Sequence, residues 1–128
     1  MILASSLEGQ GCRVLDDEFV AHRFRLACES GSAAGLSLLL DPDVTAFFDS
    51  GGTLPRAARP ICGIAETTTA VLDLLVGAAI SVQSVNGRAG LVVRCCDRVS
   101  AVASFSVCAG LVTEIWLVVN PDKLRHWN

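Results

Sequence analysis

The sequence contains no tyrosine, one methionine, one lysine and two histidines. Without tyrosine there is no phenolic donor, so any site that must stabilise an oxyanion has to draw on Asn, Ser, Trp or a protonated acid. The histidines, His22 and His126, lie far apart, and no pair among Cys12, Cys28, Cys62, Cys95, Cys96 and Cys108 has C-x-x-C spacing. Ligand spacing therefore offers no structural zinc site, and no metal or cofactor is expected. Charged residues make up 18% of the chain, against about a quarter in an average soluble domain. The net charge is -3 with no basic block, which gives no bulk attraction to nucleic acid or to an anionic membrane. No apolar run reaches the roughly 18 residues of a membrane span. The N-terminus lacks a basic start followed by a long apolar stretch, so a cytoplasmic protein is expected.

What is present is apolar surface. Of 128 residues, 52% are hydrophobic, more than one small core requires. The surplus has to line a cavity, cover a partner, or both. The six cysteines read mostly as small buried apolar residues. Cys95 and Cys96 are adjacent, and in a strand they would point to opposite faces.

Residues 1–14 read as a tail or linker, and 15–128 as one domain. Asp16, Asp17 and Glu18 suit a helix N-terminus, and Val20, Phe24, Ala27 and Cys28 form its apolar stripe, ended by Gly31. A second helix is expected through Leu36, Leu38, Leu39 and Leu40, stopped by Asp41-Pro42. Val44 to Asp49 reads as a strand. A third helix follows Gly63, with Thr68, Val71, Leu72, Leu75 and Ala79 as its stripe. The period then changes to two. Strands at Ser81–Val85 and Ala89–Cys96 join at Asn86-Gly87, a strong hairpin signal. Asp97-Arg98 and Ala109-Gly110 supply further turns around an alternating strand from Val99 to Val107, and Leu111–Val119 forms the last strand. Helices first and an antiparallel meander after them make an α+β domain.

Two stretches carry a resemblance. Residues 49–63, DSGGTLPRAARPICG, resemble the D-G-G-G-x-x-x-A-A-x-R-P-x-x-G loop of SnoaL-like domains, with Ser50 and Arg56 departing from the pattern. The nearest subgroup is the C-terminal extension of sigma-J-type extracytoplasmic-function sigma factors. Asn120-Pro121-Asp122-Lys123-Leu124 is similar to the N-P-D-K-L tail of that subgroup, and Val85-Asn86-Gly87 before a strand also fits. The resemblance covers roughly residues 14–128. It implies an NTF2-like cone, in which a curved antiparallel sheet and three helices from the N-terminal half surround an apolar pocket. The same shape serves polyketide cyclases, ketosteroid isomerases and limonene epoxide hydrolases, whereas in the sigma factors the domain is a regulatory module.

The candidate site residues follow from these positions. Asp49 enters the glycine-rich loop, where it could be a general base with its pKa raised by Phe47 and Phe48, or a cap accepting loop N–H groups. Arg59 and Arg94 could pair with it. Phe47, Arg59, Arg94, Ser104 and Trp116 are candidates for ligand contact, and Asn120, Pro121, Asp122, Lys123 and Leu124 for partner contact. Ser100, Ser104 and Ser106 share a strand face that is either solvated or lines the pocket. Two functions stay open. One is a pocket protein for a small hydrophobic molecule, of cyclase, isomerase or epoxide-opening type. The other is a non-catalytic regulatory domain that touches a sigma factor or RNA polymerase. The doubly apolar strand Leu111–Val119 suggests a homodimer in either case.

Overall fold

A computed structural model describes residues 17–51, 59–75 and 77–128. The expected tail at 1–14 and the loop stretch 52–58 lie outside the described residues. The first helix, α1, covers residues 17–30. Its stripe of Val20, Phe24, Ala27 and Cys28 is buried, and Gly31, at φ 67°, carries the chain out of it through a conformation that a Cβ would strain.

Helix α2 (Ala33–Ser37) is shorter than the leucine run suggests. Ser32 caps it by accepting the Gly35 N–H, Leu36 is buried, and Leu38 is 79% exposed. Leu40 already belongs to strand β1 (Leu40–Asp49). The cause is a ladder bond from the Val112 N–H to the Leu39 carbonyl at 2.8 Å, which claims backbone the local sequence would leave helical. Pro42 therefore does not end a helix. It sits within β1 where the register shifts between Leu40 and Thr45, a place where a missing N–H breaks no ladder bond.

The chain continues through β2 (Ile61–Cys62), α3 (Ile64–Leu75), β3 (Ala79–Val85), β4 (Arg88–Cys95), β5 (Arg98–Cys108), β6 (Leu111–Val118) and α4 (Pro121–Leu124), and then a 3-10 turn at Arg125–Trp127. Ala79 opens β3 instead of extending α3. The strands form one curved, unclosed sheet in the order β2-β1-β6-β5-β4-β3. The expected sheet was antiparallel throughout, but β1 runs parallel to β6, with Ala46 opposite Ile115 and Phe48 opposite Leu117. The sheet is therefore mixed. The β3–β6 meander turns three times on two residues each: Asn86-Gly87 (φ 54° and 82°), Cys96-Asp97 (56° and 67°) and Ala109-Gly110 (54° and 79°). Positive φ at both central residues matches the twist of the flanking strands. The middle turn falls one residue earlier than Asp97-Arg98 because Arg98 still pairs with Cys95.

The two sheet faces have different cover. On the inner face Ala46, Leu91, Val93, Ala103, Phe105, Ile115 and Leu117 meet α1, α2 and α3 in the main core. There the Phe24 and Phe105 rings lie 4.7 Å apart. On the outer face Val85, Val92, Val99 and Val102 form a second cluster with Leu124, against which Val118 and Trp127 also pack. Val99 reaches this face because the β4–β5 register shifts between Val93 and Arg94, which puts it out of step with Ala101.

Candidate functional site

The two stretches that carry the resemblance meet in space. Parallel pairing places Asp49 opposite Val118, and the Val119 N–H donates to the Asp49 carbonyl at 2.8 Å. The tail therefore leaves β6 level with the glycine loop. Asn120 caps α4 by accepting the Asp122 N–H at 3.1 Å, and its amide donates to Asp49 Oδ1 at 3.4 Å. Lys123, the single lysine of the chain, donates to Asp49 Oδ2. Gly51 has φ 65°, and a Cβ there would lie 2.7 Å from Asn120 Oδ1. Loop and tail thus form one latch, in which the glycine makes room for the asparagine.

This geometry sets the electrostatics of Asp49. The hydrogen-bonded Lys123 ammonium holds the carboxyl below the usual carboxylate range, against partial burial, and the Gly51 N–H and Asn120 amide add in the same direction. A raised value, as a general base near neutrality would need, belonged to one of the two roles expected for Asp49, the loop cap being the other. The cap reading of Asp49 accounts for the Gly51 contact. Its cation is Lys123, not Arg59 or Arg94. Arg59 is exposed beside the loop, and Arg94 is exposed on β4, opposite Ala79 on β3 and Val99 on β5. Neither makes an ion pair among the described residues.

Three further candidates are brought together. Phe47 on β1, Trp116 on β6 and Ser104 on β5 are register partners in one row. The Phe47 and Trp116 rings stack with centroids 4.1 Å apart and planes 13° from parallel. They lie on the outer face, and Trp116 remains 47% exposed. Ser106 follows on the same face and donates to Glu114 at 3.4 Å, so the serine row faces outward at Ser104 and Ser106. Ser100, at the register shift, donates to the Val93 carbonyl at 3.3 Å. The outer face is thus divided. The valine end is covered by α4 and the 3-10 turn, and the aromatic end is open and rimmed by polar groups. Of the expected partner-contact residues, Pro121, Asp122 and Lys123 are exposed, whereas Leu124 is buried in the chain's own outer cluster and is not available to a partner in this state.

The Asp17–Arg88 pair and the buried Thr67 hydroxyl were not foreseen. Asp17 is buried and accepts two hydrogen bonds from Arg88, at 2.8 Å and 3.0 Å, tying α1 to the β3–β4 hairpin. Thr67, fully buried on the α3 stripe with Val71 and Leu75, has a hydroxyl with no hydrogen-bond partner among the described residues. Cys28 is the buried cysteine among those described, its thiol pushed up to about 12 by burial and by Glu29. Cys62, Cys95, Cys96 and Cys108 are exposed, contrary to the expectation of buried thiols, because they sit on an edge strand, in a turn or at a strand end. Open depressions are lined by described residues, one of about 540 Å³ between the start of β5 and the tail and one of about 340 Å³ beside α3 and β2.

No family model and no curated protein matches the chain. Solved structures do. The extracytoplasmic function sigma factor SigJ of Mycobacterium tuberculosis is similar at 25% identity and a TM-score of 0.66, over 84% of this chain and 43% of that one. The chain thus spans less than half the length of SigJ. An NTF-2 like protein of unknown function from Burkholderia xenovorans LB400 is similar at 12% identity and a TM-score of 0.62, over 91% of this chain and 95% of that one. An LEH-like epoxide hydrolase of M. tuberculosis follows at 13% identity and 0.57, over 88% and 89%. The α+β fold is NTF2-like, as the resemblance implied, and a sigma-factor domain is among its structural neighbours.

Proposed function

We propose, on the premise of an NTF2-like fold, that this domain is a non-catalytic regulatory module that docks the core of a sigma factor through the open half of its outer sheet face. The observation that carries the reading is the stacked Phe47–Trp116 pair, which leaves a large aromatic surface in water. Exposed tryptophan beside aromatic and polar neighbours is the composition of binding hot spots. Two points support it. Asp49, the one acid placed at the loop, is paired with Lys123 and held below the usual carboxylate range, which makes it a weaker base. The chain is also similar to less than half of SigJ, a protein in which such a domain accompanies other regions.

The test is binding of this chain to a sigma-factor core that lacks its own extension. Trp116→Ala and Phe47→Ala are expected to weaken binding at least tenfold without loss of fold. Unchanged affinity in both variants would overturn the reading. So would a homodimer by light scattering that dissociates in the same variants, because the face would then belong to a second copy of the chain.

A second reading is a pocket for a small hydrophobic molecule, and possession of the fold of an epoxide hydrolase is compatible with it. The specific observation in its favour is the open apolar depression of about 340 Å³ beside α3 and β2, lined by Ile61, Ala65, Glu66, Thr69 and Ala70. Turnover of an epoxide or cyclisable polyketide that is lost in Asp49→Asn would favour this reading over docking.

A further inference from the structure

Cys95 and Cys96 do not diverge as neighbours in a strand would. Cys95 ends β4, Cys96 is the first central residue of the two-residue turn at φ 56°, and that change of backbone hand swings its side chain round. The two sulfurs lie 4.0 Å apart in hydrogen-bond contact, and both residues are exposed. Among the described residues this thiol pair has no role in packing, since neither side chain belongs to the main core or the outer cluster.

We propose that Cys95 and Cys96 form a redox-active vicinal dithiol that closes reversibly by exchange with a low-molecular-weight disulfide. One thiolate attacks a sulfur of R–S–S–R, forming a mixed disulfide and releasing R–S⁻, which takes up a proton. The neighbouring thiol then loses its proton, attacks the mixed disulfide at the protein sulfur and releases the second R–S⁻. The protein loses two electrons and two protons, and the small disulfide gains them as two R–SH molecules. The second step is intramolecular, and the 4.0 Å separation places the resolving thiol beside the first.

The site of closure gives it a readout. Cα atoms joined by a trans peptide are about 3.8 Å apart, below the ~4.4–6.8 Å that disulfides usually span. The bond therefore pulls on the turn, where Cys96 and Asp97 both already hold positive φ. Two residues on, the Val99 backbone is clasped by the Asn128 side chain, which accepts its N–H at 2.8 Å and donates to its carbonyl at 3.3 Å. Closure is thus felt first at the point where the tail is fastened to β5.

The experiment is incubation of the chain with oxidised glutathione, then alkylation with iodoacetamide and peptide mass spectrometry. The expected result is a 95–96 peptide that has lost two hydrogens and takes up no alkyl group, restored by dithiothreitol. In Cys96→Ser the expected product is a single glutathione adduct on Cys95. Phenylarsine oxide, a probe for paired thiols, is expected to bind the reduced chain and to lose at least tenfold in affinity in Cys96→Ser. Hydrogen exchange at the Val99 amide is expected to quicken on closure. A peptide bearing two glutathiones or two alkyl groups after oxidation, or Cys95 joined to Cys62 or Cys108, overturns the proposal.

Discussion

Asp49 and Lys123 make a pair whose worth can be read by pH. The folded carboxyl titrates below its ordinary value because the ammonium favours its charged form. The stabilisation is therefore complete above the unfolded pKa of about 3.9 and is lost as pH falls through the folded value. Lys123 is largely solvated, so the contribution is on the order of 0.5 kcal/mol. Lys123→Met is expected to move the Asp49 titration, followed by carboxyl NMR, upward towards the ordinary range while leaving neutral-pH stability nearly unchanged. Thr67 offers the opposite kind of test. Its hydroxyl is buried without a partner among the described residues, so its lost water has no replacement there. Thr67→Val, which keeps the shape and removes the polar atom, is expected to raise stability by about 1 kcal/mol in a urea titration. A loss of stability would mean the hydroxyl has a partner.

At the scale of elements, the glycine loop and α4 stand or fall together. Gly51→Ala places a methyl 2.7 Å from Asn120 Oδ1 on a backbone at φ 65°, with an expected cost of about 1–3 kcal/mol. In an Asn120→Ala background the crowding is gone and only the backbone term of about 1 kcal/mol should remain, so a double-mutant cycle is expected to be non-additive. The meander was legible in the sequence because its signals are local. Asn86-Gly87 and Ala109-Gly110 specify their turns by backbone hand, and the alternation of Ala101, Ala103 and Phe105 needs no partner to be read, whereas the register shifts that bracket it and turn Val99 to the outer face left no local signal. The α1 stripe with its Gly31 stop was legible for the same reason. The latch was not. Asp49 and Lys123 come together through parallel pairing of β1 with β6, and no residue pattern near either announces a strand pairing across so much chain. The same distant pairing shortened α2. Phe47 and Trp116 were individually visible as large aromatics, but their stacking depends on that register as well. The cysteine turn was misread because one residue of register decides whether two side chains diverge or converge.

For the molecule as a whole, the outer face sets the balance between solubility and association. Leu124 and Trp127 cover Val85, Val92, Val99, Val102 and Val118, and the open end is left to the aromatic pair. Leu124→Ala with Trp127→Ala is expected to cost about 3 kcal/mol or more by lost burial and the cavity left behind. It should also expose a contiguous apolar patch. Light scattering is expected to show association at concentrations where the unaltered chain shows less, with far-UV circular dichroism retained, because the inner core and its helices are untouched. Loss of the dichroism signal would instead mean that the outer cluster is needed for the sheet to form at all. The same variant separates cover from docking: sigma-core binding through Trp116 should survive it if the aromatic end is the contact, because that end lies beyond the valine cluster.

The strand order has a further consequence for synthesis. β6 is the last strand to leave the ribosome, yet it stands third in the sheet between β1 and β5. Until it emerges, no strand among the described residues joins β1 and β2 to the nascent meander. At translation speeds of about 5–20 residues per second, the stretch from β1 to β6 takes several seconds. Through that interval β1 presents both its edge and Phe47 to solvent or to a holding chaperone.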